Sequence, residues 1–257
     1  MGALSIQRTF GGLPFLDDAF DARRLLTAVI AFRAHRCGIE EANQIGVDAR
    51  LLLSPRVARE LMSTAQSPNI RSRPLWTDGQ EAVDDALASI RRRVPAWAPL
   101  LDLPVEFREL QVPGPISCSC YSWPQHVFLA PEAFASSLEL TEQILHELDH
   151  NWIYLIEEVV PLHPPTAQAR FVLPSGTGNR TVAEVIGAGC VAAMLLRWYD
   201  GHPDPRARER EHYLTSYLDG CLTILRALPN GDLTEAGAEV RASLDTQITS
   251  WLSSRAQ

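Results

Sequence analysis

One short segment of this chain combines residue types that can do chemistry: His146-Glu147-Leu148-Asp149-His150. Its two histidines are four residues apart, and on an α-helix residues at this spacing lie one above the other on the same face. Their imidazoles can then bind one divalent metal ion, with the Glu147 carboxylate beside it. The pattern predicts a metal site on a helix.

The sequence around this pattern is typical of a long, mostly apolar helix. Ser136 followed by Glu139 is a possible capping box at its beginning. Apolar side chains then recur, without Gly or Pro, as far as Pro161. Three ionisable side chains on one turn of such a helix indicate a functional site, because buried ionisable groups are costly without a role.

Two histidines leave the metal site incomplete, so a third protein ligand must come from elsewhere. Glu184, on the next predicted helix, is the favoured candidate, because the small residues 187–189 would let that helix approach another closely. The alternative interpretation is local: Thr181 and Glu184 form a capping-box pattern, in which Glu184 binds the start of its own helix. Glu157 is the second candidate, since it shares a helical face with both histidines, and it could instead orient one of them.

The composition argues against several classes of function. A formal net charge of −8 and a pI near 5.4, without clustered basic residues, argue against a nucleic-acid-binding protein. The chain opens without a secretory signal, and no apolar run looks long enough to span a bilayer. Its five cysteines form no C-x-x-C pair. We therefore expect a cytoplasmic protein that binds no membrane, with Cys118 and Cys120 as buried small residues.

The predicted elements run from helices to strands, then to the motif helix and further helices. Helices are predicted over residues 17–36, 40–64 (one or two), 80–94, 181–199, 206–228 and 233–253, and strands over 105–112, 116–123 and 127–130. Residues 124–126 would separate the last two strands, and residues 1–16 and 63–79 are predicted to be irregular.

This order predicts an α+β, mostly helical fold. By analogy with other zinc- and iron-binding folds, the short β-sheet would back the metal-binding helix. The chain would divide into an N-terminal helical region, residues 1–100, and a metal-binding core with C-terminal helices, residues 101–257, unless the two form one continuous domain.

Several stretches together form a longer pattern: Ser117–Tyr121, His126–Ala130, Leu140–His150, Leu155–Leu162 and Arg180–Ala193. Over about residues 115–200, this pattern resembles the HExxH domain that is fused to, or encoded beside, radical-SAM maturases of bacterial ribosomal-peptide clusters. Members of that family are understood as non-haem iron enzymes that use 2-oxoglutarate and O₂ to hydroxylate unactivated carbons. Their fold is unrelated to the double-stranded β-helix.

The resemblance implies a role for each candidate residue. Fe(II) would be bound by His146, His150 and Glu184, which leaves positions open for 2-oxoglutarate and O₂. Glu147 would then lie beside the metal without acting as a base. Arg180 would pair with the distal carboxylate of 2-oxoglutarate through its bidentate fork.

The sequence leaves two assignments open, the arginine that binds 2-oxoglutarate and the third metal ligand. Arg170 and Arg197 are further candidates for the 2-oxoglutarate carboxylate, and Arg180 could instead be a surface arginine in the loop before a helix. Relatives often carry His or Gln where this chain has Gly187. If that residue is a ligand in the relatives, Glu184 must complete the set here, or the set is incomplete.

We expect a hydroxylase that acts on an amino-acid side chain, within a small peptide of a natural-product pathway and together with a partner enzyme of that pathway. Two alternatives remain. One is a zinc metallopeptidase of the HExxH type, in which Glu147 takes a proton from the metal-bound water as general base. The other is a non-catalytic module that binds a leader peptide and keeps a structural metal.

Overall fold

The structure, a computed structural model, describes residues 5–38 and 49–255. Its fold is α+β and mostly helical, as predicted, with one small, open, mixed sheet. The described ranges contain no double-stranded β-helix. Of the helical segment predicted at residues 40–64, the part up to residue 48 lies outside the described residues.

In chain order the helices are α1 (Ile6–Phe10), α2 (Ala22–Arg36), α3 (Pro55–Met62), α4 (Thr77–Arg93), α5 (Ala98–Leu101), α6 (Ser137–Val159), α7 (Val182–Tyr199), α8 (Ala207–Arg226) and α9 (Glu235–Arg255). The strands are β1 (Ser72–Pro74), β2 (Glu106–Leu110), β3 (Ser117–Cys120) and β4 (Trp123–Leu129). Segment 1–16, predicted to be irregular, thus contains a short helix, and segment 63–79 contains a short strand.

The chain forms two compact units. The sheet unit spans Asp21–Val159 and contains α2 to α6 with the four strands. The helical unit combines Met1–Phe20 with Val160–Gln257 and contains α1 and α7 to α9. This division differs from the boundary at residue 100 expected from composition, because α2 and α4 pack on α6 and α3 packs on β4.

The sheet has the strand order β1-β2-β4-β3, so β3 is an edge strand. The central pair, β2 and β4, is parallel, and the two outer pairs are antiparallel. Residues 124–126, predicted to separate two strands, lie within β4. Pro124 and Gln125 nevertheless interrupt the pairing, because β2 pairs only from His126 onwards and the register with β3 shifts between Trp123 and Phe128.

Helix α6 begins as its sequence predicts. The Ser136 hydroxyl oxygen accepts a hydrogen bond from the Glu139 main-chain N–H at 3.2 Å, which satisfies one N–H of the first turn. The helix packs on β3, β4, α2 and α4. Its Trp152 indole donates to the Leu100 carbonyl oxygen at 3.1 Å. The motif helix is therefore a central element of the sheet unit.

A buried polar network holds β4 and α2 on the end of α6. The Arg33 guanidinium donates to both carboxylate oxygens of Glu158, at 2.7 and 2.9 Å, and neither side chain is exposed. Arg33 also donates to Gln125 Oε1 at 2.8 Å, and the Gln125 main-chain N–H donates to Asn151 Oδ1 at 2.5 Å. These bonds explain how Gln125 can be fully buried at a positive φ of 61°.

In the helical unit, α7 packs on α8 and α9. The small residues of α7 were expected to bring Glu184 towards the motif helix. Gly189 instead faces α8 and α9: a Cβ placed there would lie 3.0 Å from Leu244 Cδ1 and 3.8 Å from Cys221 Cβ. Close packing of α7 within its own unit explains at least this glycine.

The N-terminal segment is an integral part of the helical unit. The Ile6 main-chain N–H donates to Glu239 Oε2 on α9 at 2.8 Å. The Arg197 guanidinium on α7 donates to the carbonyl oxygens of Phe15 and Leu16, at 3.1 and 2.7 Å. Because Ile6, Phe10 and Leu13 are also buried, this segment is held by tertiary contacts that no local pattern reveals.

Helix α7 corrects one expectation from composition. By length and hydropathy alone it could span a bilayer, although no such run was expected. Most of it, 83%, is buried inside the protein, which is consistent with the core helix of a soluble protein.

Candidate metal site

His146 and His150 lie side by side on α6. Their ring centroids are 4.9 Å apart with the ring planes at 69°, and both side chains are half-buried. One turn further along, the Tyr154 ring stacks on His150 at 6.0 Å and 9°. The helical spacing thus places the two imidazoles side by side, as predicted, and an aromatic ring packs against the second.

Glu147 points to the edge strand. Its side chain is 2% exposed, and its Oε1 lies 2.6 Å from the hydroxyl oxygen of Ser117 on β3. The same hydroxyl lies 2.8 Å from Gln143 Oε1. Burial, together with the nearby charge of Glu147, raises the pKa of the Cys118 thiol to about 12. Glu147 is therefore a buried acceptor that ties α6 to β3.

Cys118 and Cys120 lie on β3 as half-buried thiols. Both pack against a small apolar cluster that includes Leu110, Trp123 and Phe128. They were expected to be buried small residues, and the structure shows them packed but only half-buried. Because its pKa is raised, the Cys118 thiol stays protonated.

Glu184 belongs to the helical unit and caps its own helix. Its Oε2 accepts hydrogen bonds from the Thr181 main-chain N–H and hydroxyl, at 2.7 and 2.9 Å, and the Thr181 hydroxyl accepts from the Glu184 N–H. Its Oε1 accepts from Arg180 Nη1 at 2.6 Å. Burial alone would raise the pKa of Glu184, but the bonds from Thr181 and Arg180 lower it overall.

The capping interpretation of Glu184 is thus confirmed. Both of its oxygens hold hydrogen bonds, so it could bind a metal only by exchanging one of them. Its role as a ligand stays a prediction.

The three arginines considered for 2-oxoglutarate have different partners. Arg180, at the end of a small hairpin closed by main-chain bonds with Phe171, binds Glu184. Its buried Nε has no hydrogen-bond partner in the described part of the chain. Arg197 holds the N-terminal segment, and exposed Arg170 donates to the carbonyl oxygens of its neighbours in the chain. Of the three arginines, Arg180 therefore has a buried Nε–H group that could donate to a ligand.

The residues fit a metal ion in part. His146 and His150 supply two imidazoles, a donor type that suits zinc and iron equally. Within residues 5–38 and 49–255, however, no group of three or more His, Cys, Asp or Glu side chains is placed to hold a metal ion. The structure therefore brings two histidines together, and the metal site and its third ligand stay predictions.

Sequence reasoning gave no role to Asp149, Tyr154 or Tyr121, although each lies on or beside the motif helix. Asp149 is fully buried, and neither of its oxygens has a hydrogen-bond partner in the described ranges. Burial raises its pKa well above the usual value. The signal for Tyr154 was its spacing of four residues from His150; Tyr121 had none, because it meets α6 only in the folded chain.

Glu157, the second candidate for a ligand, lies two turns beyond His150 on the same face. Its Oε1 is buried and without a hydrogen-bond partner among the described residues. Burial raises the pKa of this carboxyl to about 7. A spacing of seven residues corresponds to about 10 Å along a helix axis, too far to share one metal ion with His150 unless the chain bends.

The chain matches no protein-family model and no curated protein.

Proposed function

We propose that this protein is an Fe(II)- and 2-oxoglutarate-dependent hydroxylase that acts on an amino-acid side chain of a peptide. The observation that carries the metal proposal is the pair His146 and His150, whose rings lie 4.9 Å apart on one buried helix. The choice of iron and 2-oxoglutarate is supported by the resemblance of residues 115–200 to the radical-SAM-associated HExxH domains.

His146 and His150 would bind the metal ion, and Arg180 would pair with the distal carboxylate of 2-oxoglutarate. When bound, iron with 2-oxoglutarate supplies the oxidising power to replace an unactivated C–H bond by C–OH. The chain's own contribution is to hold the imidazoles: α6 is fixed by Ser117 through Glu147, and His150 is backed by Tyr154.

The state of Glu147 supports an oxygenase over a peptidase. A general base must be free to take a proton from the metal-bound water. Glu147 is 2% exposed, and its Oε1 already accepts a hydrogen bond from Ser117. This hydrogen bond suits a positioning residue, which is the role that the hydroxylase proposal gives to Glu147, whereas a zinc peptidase would use the carboxylate as its base.

The proposal also covers the cellular location of the protein, its substrate and its partner enzyme. We place the protein in the cytoplasm, where its five thiols would stay reduced. Its substrate would be a small peptide delivered within a natural-product pathway, and a second enzyme of that pathway would act on the same peptide.

The test is a titration of the anaerobically purified, Fe(II)-reconstituted protein with 2-oxoglutarate. We expect a weak visible charge-transfer band, which reports chelation of iron by 2-oxoglutarate. The band should be lost in His146→Ala and kept in His212→Ala, a matched control at an exposed histidine of α8. No band, together with one tightly held zinc ion per chain, would instead support the zinc peptidase.

A further inference from the structure

Tyr121, Tyr154 and Glu157 form a cluster beside the histidine pair, which we call the tyrosine–glutamate cluster. Tyr154 and Glu157 are three residues apart and neighbours on α6. Tyr121 follows β3 directly, and its ring meets Tyr154 edge-on, with centroids 5.9 Å apart at 88°. Tyr121 is 39% exposed, so the cluster is open to solvent on its side. On the other side, the Tyr154 ring lies beside the His150 ring, with centroids 6.0 Å apart.

The charge of Glu157 acts on both rings. The pKa of Tyr121 is raised to about 12, first by burial and then by the charges of Glu158 and Glu157. The pKa of Tyr154 is raised by burial and by nearby carboxylates, including Glu157. The carboxylate therefore lies within electrostatic reach of both phenols.

Glu157 differs from its neighbour in one respect. The next residue, Glu158, also lies on α6, and both of its carboxylate oxygens accept hydrogen bonds from Arg33. The buried Oε1 of Glu157 receives none within the described residues. Burying a carboxylate oxygen without a hydrogen-bond donor costs free energy. A protein that keeps such an oxygen therefore usually has a use for it, such as binding another molecule.

Within residues 5–38 and 49–255, no cationic side chain donates a hydrogen bond to this oxygen. Residues 1–4, 39–48 and 256–257, which the structure does not describe, contain no Lys, Arg or His. Two positive groups act on the cluster by lowering the pKa of Tyr121, namely Arg36 and Arg33. Arg33 is bound by Glu158, and Arg36 donates to Met62 Sδ at 3.1 Å. A cationic partner for Glu157 would therefore come from another molecule.

We propose that the tyrosine–glutamate cluster binds the cationic side chain of the substrate, an arginine or lysine of a peptide. A tyrosine ring attracts a cation, and a desolvated carboxylate binds it by a charge-assisted hydrogen bond. This inference names the substrate class and rests on the proposed function, in which the histidine pair is the reaction centre.

The spacing also orients that side chain. Glu157 lies about 10 Å beyond His150 along the helix axis, with the ring of Tyr154 between them. A long basic side chain bound by its charged end at Glu157 would therefore present its carbons, not its nitrogens, to the histidine pair. Hydroxylation of a carbon needs this orientation.

The experiment measures peptide binding by calorimetry to the protein as purified, without added 2-oxoglutarate or O₂. The probes are capped pentapeptides, Gly-Gly-Arg-Gly-Gly and the same peptide with citrulline, which keeps the shape of arginine and lacks its charge. We expect the arginine peptide to bind at least about tenfold more tightly. The preference should fall to near unity in Glu157→Gln and stay unchanged in Glu132→Gln, an exposed control just before α6.

A second variant tests the aromatic part without touching the carboxylate. Tyr121→Leu should lower the affinity for the arginine peptide several-fold, whereas Tyr121→Phe, which keeps the ring, should not. Thermal unfolding of each variant checks the fold, and Glu157→Gln should melt no lower than the parent because it removes a buried charge.

Equal affinity for the two peptides in the parent protein, or a preference that survives Glu157→Gln, would overturn the inference. So would the absence of binding up to about 10 mM peptide. If the charge-transfer band forms but the preference is absent, only this inference fails. If the preference is found without the band, the cluster is a basic-peptide site and the hydroxylase proposal fails.

Discussion

The hydroxyl oxygen of Ser117 lies 2.6 Å from Oε1 of Glu147, which joins the edge strand of the sheet to the centre of the His-Glu-x-x-His motif. The same hydroxyl is 2.8 Å from Gln143, whose amide can turn to donate its own hydrogen. Through this contact, the position of Glu147 depends on a strand that begins thirty residues before it.

Glu147→Gln separates the two enzymatic hypotheses. Glutamine keeps the oxygen that accepts from Ser117 but cannot act as a base. We expect the Fe(II)–2-oxoglutarate band to persist, with iron affinity changed by no more than about tenfold. Spectroscopic titration measures it. Loss of a peptidase activity in this variant, with the fold intact by circular dichroism, would contradict the hydroxylase assignment.

Glu184→Ala tests the cap at the start of α7. The variant removes an acceptor for the Thr181 N–H and the partner of Arg180, so the free energy of unfolding should fall by about 1 kcal/mol. Urea denaturation measures this loss, and unchanged stability would argue against the cap. Iron affinity measured on the same protein assigns the second role: a decrease of tenfold to a hundredfold, on the order seen for groups that support a metal, would identify Glu184 as a ligand.

Arg33→Met should be among the most destabilising substitutions of the sheet unit. It leaves Glu158 buried and unpaired, which costs about 3–5 kcal/mol. Chemical denaturation checks the value. In the double variant Arg33→Met/Glu158→Leu, no buried charge remains, and we expect much of the loss to be regained. A double variant as unstable as the single one would show that packing, not charge, causes the effect.

The dependence of stability on pH should reveal Glu157. Its pKa rises from the ordinary 4.5 to about 7 on folding, so the folded protein binds this proton more tightly than the unfolded chain. The contribution of Glu157 to stability is therefore full below about pH 4.5 and lost as pH rises through about 7.

Glu157→Gln removes this dependence, so the parent-minus-variant difference in the urea midpoint should fall steadily between pH 5 and about 7.5. Asp149 contributes in the same direction, because its pKa is also raised, but it is present in both proteins and cancels. A difference that is flat over this range would contradict the raised pKa of Glu157.

The sequence alone determined what depends on neighbours along the chain. The spacing of His146 and His150 placed both imidazoles on one face, because helix periodicity does not depend on the rest of the fold. Ser136 began the motif helix for the same reason. Alternating polarity located β2 and the β3 region, and the order of elements predicted an α+β, mostly helical fold.

The tertiary structure decided what depends on residues far apart in the chain. Both interpretations of Glu184 fitted the sequence, and only the bonds to Thr181 and Arg180 showed that its oxygens are held by its own helix. Gln125 lies within β4 at an interruption of the strand pairing, and its place is fixed by a buried network with Arg33 and Asn151 that no local pattern reveals.

The same holds for the contacts around the histidine pair. Arg33 and Glu158 are 125 positions apart in the sequence. Only the folded chain shows that Glu158 is paired with Arg33, whereas Oε1 of the preceding residue, Glu157, has no hydrogen-bond partner among the described residues. Tyr121 met Tyr154 because β3 packs on α6. Local periodicity tells which face a side chain takes, whereas its partner there depends on which distant segment folding brings opposite.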